Sequence, residues 1–575
     1  MELLGIFHRR PHMEARGVCD APYIEKGAHA LSARATASEG GVLACAQGRI
    51  RNVEALAGEL GLPREKRDGA QIVLAAYARW GEEYFARIEG PVLTAVIDRD
   101  ADVLVLSRDR MGEKRLFYTQ DGPAVAFADH PDLLLEAGCA RPVIDAEGLA
   151  ELFALGPART PGKTPWRDVR ALEAGCALIV RDGQARSRRY FRLEAREHAD
   201  DALQTVEAVR AMIERAVEEI APLRPAAMLS GGIDSTALTF LLRQRMDHVD
   251  TFSVDYEDNA RHFRGTAFQP ERDEPYIELA VERLGARHRR VVLTQAALAG
   301  ALGEAVNARG FPGMADVDSS LLLFAREIAP FARCVLSGEC GDEVFGGYPW
   351  FRDARCLSAE AFPWSGSLEL REGVLKKRVR EKIGVREYVR RTLADAVARV
   401  DHLPDESAQD RCLRTMQHMC FEFFMTNLQE RAAAMCESAH LEVLTPFSDE
   451  RLAQYVYNTP WEIKFLGGRE KGLLREAVGA LLPESLRYRR KSPYPKTCSP
   501  EYARIVSQMA REMLADRASP LPALLDAQKI AELAASELPA GATPWFGQLM
   551  AGPQLLAYLW QVNEWMRARR AEISL

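Results

Sequence analysis

Six residues, Ser230-Gly231-Gly232-Ile233-Asp234-Ser235, combine side chains and backbone freedom suited to holding a phosphate group. Paired glycines let main-chain N–H groups come close to an anion, and two serines add hydroxyl donors. Asp234 is out of place beside phosphates unless a Mg²⁺ stands between them. The stretch is no Walker loop, because no Gly-Lys-Ser/Thr follows it. A second run, Ser337-Gly338-Glu339-Cys340-Gly341-Asp342-Glu343, leads into Gly346-Gly347-Tyr348. Asp342 is suited to be the second carboxylate for a Mg²⁺ shared with Asp234. Ser337 and Gly338 can meet a nucleotide, and Glu339 can hold or deprotonate an incoming amine. Read blandly, the two runs are a glycine turn and a solvated acidic loop.

Each run needs a strand to deliver it and a helix to receive it. Ala226-Ala227-Met228-Leu229 reads as a buried strand before the first loop, and Thr236 to Leu242 as a packed helix after it. Cys334-Val335-Leu336-Ser337 and Asp250-Thr251-Phe252-Ser253-Val254-Asp255 are further strand-to-loop junctions. From about residue 200 the strand–helix alternation predicts an α/β domain: a parallel sheet with ligands at the carboxyl ends of its strands. Residues 1 to about 170 read instead as an α+β sandwich. Its strands are expected at Val42, Val92 and Val103, with a hairpin at 98–102 and helices over Val53–Leu60 and 72–84. A Pro/Gly-rich connection, 156–162, lies near the boundary. The C-terminal region reads as mostly helical, and its aromatic-rich segments 419–428 and 555–569 as core.

With 575 residues the chain should form two domains or more. Hydrophobic content of 47% and charged content of 27% suit a globular enzyme. A net charge of −7 gives no general attraction to nucleic acid or an anionic membrane. The eleven cysteines form no CxxC pair, which speaks against a zinc site or a disulfide framework and for reduced thiols in a cytoplasm. No run is long and apolar enough for a membrane span, and the first residues lack a signal-peptide core.

The Ser-Gly-Gly-x-Asp-Ser loop resembles the pyrophosphate loop of ATP-pyrophosphatases, and with the Ser337–Asp342 run the chain resembles the asparagine synthetase family. In that family a glutaminase-like (Ntn-type) domain precedes an ATP-pyrophosphatase-type synthetase domain, here expected over 1–195 and 196–575. Other segments are similar in family order: Gly313 to Ser320, Leu441-Glu442-Val443 with Pro446-Phe447-Ser448-Asp449, and Gly467-Gly468-Arg469-Glu470-Lys471. The segment 491–497 is closer to one bacterial branch. The resemblance implies ATP as substrate and Mg²⁺ on Asp234 and Asp342. It implies nucleotide contacts from Leu229, Ser230, Gly231, Gly232, Asp234, Ser235, Val254, Ser337 and Gly338, and catalytic parts for Lys471, Glu339 and Glu442. A carboxylate would attack the α-phosphate of ATP to give an acyl-adenylate, and ammonia or another amine would then release AMP. Lys471 would meet the negative charge that builds on the carbonyl oxygen; otherwise it is an exposed lysine in a charged helix.

Two departures modify this expectation. Family glutaminases use a cysteine exposed by removal of the first methionine, and this sequence has Glu2 there. Cys19 has no free α-amine, and the family's Asn-Gly segment appears as Gln47-Gly48, followed by Arg49. The first domain is therefore expected to fold without glutaminase activity. On the substrate side, charged family positions are Ala432-Ala433-Ala434-Met435-Cys436-Glu437 and Leu444-Thr445, which puts aspartate in doubt as the carboxylate. The pattern is also similar to β-lactam synthetases and lasso-peptide cyclases of natural-product biosynthesis, although Glu339 stands where β-lactam synthetases carry a tyrosine. Residues 371–391 are strongly basic, with Lys376, Lys377, Arg378, Arg380, Lys382, Arg386, Arg390 and Arg391. They read as a solvated helical face or as a docking surface for an acidic peptide or protein, which would suit a catalytically inactive scaffold. A homodimer is the remaining partner expectation.

Overall fold

The computed structural model describes every residue except 1–2, 9, 11, 14–22, 27–28, 34, 266–268, 354–360 and 536–543. Glu2 and Cys19, on which part of the glutaminase expectation rests, lie outside the described residues. Two compact units are present: Met1–Leu149 with Arg159–Arg192 and Ala571–Leu575, and Ala150–Ala158 with Leu193–Arg570.

The first unit contains two six-stranded sheets. Alternation in Leu3–Phe7, Val42–Gly48, Val92–Asp98, Val103–Ser107 and Cys176–Arg181 sends one set of side chains into a core between the sheets, including Leu3, Phe7, Leu43, Leu93, Leu104, Phe127 and Leu178. The opposite face of the second sheet is covered by helices Val53–Leu60 and Gly69–Trp80 through Leu56, Ile72, Val73 and Val96. Asp98 pairs with Val103, so 98–102 is the expected hairpin turn. The short strand Glu572–Ser574 belongs to this unit and pairs in parallel with Val143–Asp145.

The second unit is built on five parallel strands: β1 (Ala226–Met228), β2 (Asp250–Tyr256), β3 (Arg287–Leu293), β4 (Cys334–Leu336) and β5 (Glu442–Leu444). Their spatial order is β3-β2-β1-β4-β5. The order reverses between β1 and β4, and in a doubly wound sheet that reversal opens a crevice at the carboxyl ends of the two strands. The loops leaving β1 and β4 are the two chemistry-bearing runs. Helix α1 (Ile233–Arg245) starts from extended Gly232 and carries Asp234 in its first turn, where the helix dipole favours negative charge. Helix α2 (Asp316–Ile328) and helix α3 (Thr426–Ser438) supply further walls. A π-helical turn, Cys420–Met425, runs directly into α3.

Candidate active site

Gly338 brings the two loops into contact. A Cβ there would lie 2.8 Å from the Ser235 amide nitrogen and 2.9 Å from Asp234 Cβ, so only glycine lets the second loop reach the first turn of α1. Within the first loop Ser230 Oγ is 2.9 Å from Ser235 Oγ, and Ser235 Oγ accepts from the Ser230 N–H at 3.1 Å. Gly231 adopts φ +69°, open to glycine. Arg489 donates to the Ser230 carbonyl at 3.2 Å and pairs with Asp273, pinning the loop from outside.

Asp234 and Asp342 meet on one cation. Lys471 Nζ lies 2.5 Å from Asp234 Oδ2 and 2.6 Å from Asp342 Oδ1. Lys491 Nζ takes the other oxygen of Asp342 at 2.6 Å. Lys471 is fully buried at a positive φ of 54°, just before the helix Gly472–Ala477. It is therefore neither exposed nor inside a charged helix; Arg469 lies over the Tyr488 ring, and Glu470 pairs with Arg475. Burial lowers the Lys471 ammonium, but Asp234 and Asp342 outweigh it and hold the group above its ordinary value. Burial likewise raises Asp342, and the two lysines bring it down to about 2. Neighbouring Glu343 lacks such partners; burial, then the Asp342 charge, push it up to about 8, and it accepts from Tyr348 Oη at 2.6 Å.

Asp234 Oδ1 is buried outside hydrogen-bonding geometry, and Asp342 Oδ1 meets only Lys471. Two carboxylates of this kind, converging from different loops, fit Mg²⁺, which commonly takes one or two protein carboxylates and completes its shell with water and phosphate oxygens. Among the described residues no cluster of three or more His, Cys, Asp or Glu could hold a metal without such help.

A cleft enclosing about 960 Å³ of empty space, part of it open to solvent, collects these groups. Leu229, Ser230, Asp234, Ser235, Val254, Ser337, Gly338, Glu339 and Asp342 line it. Gly231, Gly232 and Lys471 do not line it. Glu442 is not brought to it: it begins β5 opposite Cys334, whereas the strand ends at Leu444, and its neighbour Val443 lines the cleft. Sequence reasoning gave no role to Lys491, Arg431 or Tyr494. Arg431 is buried 3.0 Å from Glu339 Oε1, so a cation sits just before the apolar stretch that begins at Ala432. Ala432 and Cys436 do line the cleft. The motif around Lys491 marked its neighbourhood, but only folding shows where its ammonium goes.

The basic run 371–391 is more divided than its sequence suggests. Arg371 is buried against Trp545, and Arg386 and Arg390 pair with Glu372 and Glu387.

The asparagine synthase family model matches residues 208–567, and a glutamine amidotransferase domain model matches residues 35–191. The chain belongs to the asparagine synthase family. It is thus an ATP-dependent amide ligase of asparagine synthetase type, with an amidotransferase domain followed by a synthase domain. It is 38% identical over 537 residues to asparagine synthetase (glutamine-hydrolyzing) 3 of Bacillus subtilis (strain 168), covering 92% of this chain and 87% of that one. Asparagine synthetase (glutamine-hydrolyzing) 1 of the same strain is 25% identical, covering 74% and 70%. Amidase chyE of Penicillium rubens is also 25% identical, covering 74% and 72%. Among the described residues no helix is long and apolar enough to cross a membrane.

Proposed function

We propose that this asparagine synthase family member joins a carboxylate to ammonia or another amine in two steps, releasing pyrophosphate and then AMP. The meeting of Asp234 and Asp342 on Lys471, at the reversal of the strand order, carries this reading. Backbone groups of Leu229 and Val254 hold adenine. Ser230, Gly231, Gly232, Ser235, Ser337 and Gly338 hold the phosphates and ribose. Asp234 and Asp342 would hold Mg²⁺, which would supply positive charge beside the leaving pyrophosphate. The carboxylate oxygen attacks the α-phosphorus, the bond to the β-phosphate bridge breaks, and an acyl-adenylate remains. The amine then attacks the acyl carbon, the bond to AMP breaks, and Lys471 stabilises the oxyanion in between. Glu339 takes the proton that the amine must lose. No step uses Glu442.

The first domain works without glutaminase activity in this reading. The Gln47 side-chain amide donates to Asp129 at 2.8 Å, which supports this reading. Burial pushes the Cys45 and Cys139 thiols up to about 12, far from a reactive thiolate.

A carboxylate other than aspartate is favoured by the apolar walls Ala432, Cys436, Val443, Leu321 and Phe324. Carboxylate-dependent ATP–pyrophosphate exchange, screened over amino acids and their derivatives, tests the ligase reading. With an amine added, AMP must appear among the products; ADP with phosphate, or no exchange with any carboxylate, would refute it.

A further inference from the structure

Glu339 enters the cleft with 20% of its side chain exposed, and its Oε1 is held by one guanidinium. That guanidinium, on Arg431 of α3, meets three other groups. Its Nη2 donates to the Val317 carbonyl at 3.2 Å, and its Nε lies 3.2 Å from Asp318 Oδ1. Its plane lies over the Tyr494 ring, 4.9 Å from the centroid. Asp318 is held in turn by the Met314 N–H at 3.0 Å and by buried Arg309 at 3.3 Å. Charges alternate from the cleft inward: Glu339, Arg431, Asp318, Arg309. A guanidinium has no spare conformational freedom in such a frame, and its fork fixes the direction of the carboxylate it meets.

We infer that Arg431 is a positioning residue for amide formation: by holding Glu339 Oε1 it aims Oε2 at the attacking amine. As the N–C bond forms and the C–O bond to AMP breaks, the electron pair leaves with AMP. One N–H proton of the attacking amine passes to Glu339 Oε2. Burial holds the Glu339 carboxyl above its ordinary value even with Arg431 beside it, and Arg431 limits that rise. The other groups facing it divide: Asp342 and Glu343 of its own loop oppose its ionisation, and Lys491 favours it. Tyr494 and Cys436, also nearby, are raised well clear of neutral pH to about 12. Arg431 is the cation in direct contact.

The inference rests on the ligase reading, and the test separates the two. Wild-type protein, Arg431→Gln and Arg431→Lys are compared in pyrophosphate exchange, using L-aspartate or whichever carboxylate supports wild-type exchange. Amide formation is then measured with ammonia and with hydroxylamine, a weakly basic amine whose nitrogen, once bonded to the acyl carbon, gives up its proton to water more readily. Arg431→Gln should keep exchange within about threefold. It should lose ammonia-dependent turnover by roughly 100-fold or more, the usual scale for a positioned base. Hydroxylamine should restore most of that loss, Arg431→Lys should be intermediate, and the acidic limb of the ammonia pH profile should move upward. Glu339→Gln, which removes the base itself, should lose ammonia-dependent turnover at least as far as Arg431→Gln. Equal losses in exchange and in both amine reactions would make Arg431 structural and overturn the inference. Unchanged ammonia turnover would overturn it as well, while absence of exchange in the wild type would overturn the ligase reading beneath it.

Discussion

Gly347 and Lys471 share one space: a Cβ on Gly347 would lie 2.3 Å from Lys471 Cε and 2.0 Å from Asp342 Oδ1. The glycine is therefore part of how the buried lysine reaches its two carboxylates. Gly347→Ala should move Lys471 and Asp342 apart at a cost of about 1–3 kcal/mol in stability. Adenylation should fall by at least tenfold while the protein remains folded. Thermal unfolding and pyrophosphate exchange, measured together, check this; unchanged exchange would show that the pair tolerates displacement.

Lys471→Met should affect more than the oxyanion. Loss of one electrostatic contact to a developing charge costs on the order of 3 kcal/mol, or about a hundredfold in rate. Here Lys471 also joins Asp234 and Asp342, so the apo protein should lose stability by about 3–5 kcal/mol through unpaired buried charge. Added Mg²⁺ should recover much of that stability. If Mg²⁺ raises the unfolding temperature of the wild type and the variant equally, the two acids are not its site.

Asp234→Asn and Asp342→Asn should each abolish adenylation. Each removes one charged oxygen donor from a pair that suits Mg²⁺. The direct measurement is MgATP binding by calorimetry, with AMP as a control that needs no metal. Affinity for MgATP should drop at least tenfold, and affinity for AMP should stay within a few-fold.

Asp316 gives a pH dependence away from that pair. Buried at the start of α2, it is pushed up to about 6 from an ordinary 3.8, although the Gln554 amide at 3.3 Å opposes the shift. The folded state then binds more protons than the unfolded state between about pH 4 and pH 6. Its contribution to stability is therefore present in full below that window and lost as pH rises through it. Asp316→Asn should flatten this part of the curve and stabilise the protein at pH 7 by up to about 3 kcal/mol. Urea unfolding at pH 4, 5, 6 and 7 gives the slope for each protein.

Glutamine should not serve as nitrogen donor. Gln47 is tied to Asp129, and the buried thiols of Cys45 and Cys139 are far from ionising. Glutamate release by the purified protein should stay at background while ammonia supports turnover. Release at a rate near that of ammonia-driven synthesis would reverse this reading.

Much of the chemistry was legible in the chain because it is local. A Gly-rich turn between a strand and a helix is specified by adjacent residues, so Ser230–Ser235 and Ser337–Asp342 could be read as loops at strand ends. Their meeting could not. It follows from β1 and β4 being neighbours, and parallel pairing across more than a hundred residues leaves no mark in either segment. Lys471 was expected at the site from its motif, while its charged neighbours also allowed an exposed lysine; a turn through positive φ carries it inward. Glu442 looked usable because of its motif, yet the register of β5 starts the strand with it instead of ending the strand there. Arg431 gave no signal: a charged residue on a helix is ordinarily solvated, and which face of α3 meets the cleft depends on the helix before it. The π turn at Cys420–Met425 shifts that face by roughly one residue. The sequence by itself determined the loops and their chemical vocabulary. Only the tertiary structure decided which charges share a space, because that depends on strand order, helix phase and burial.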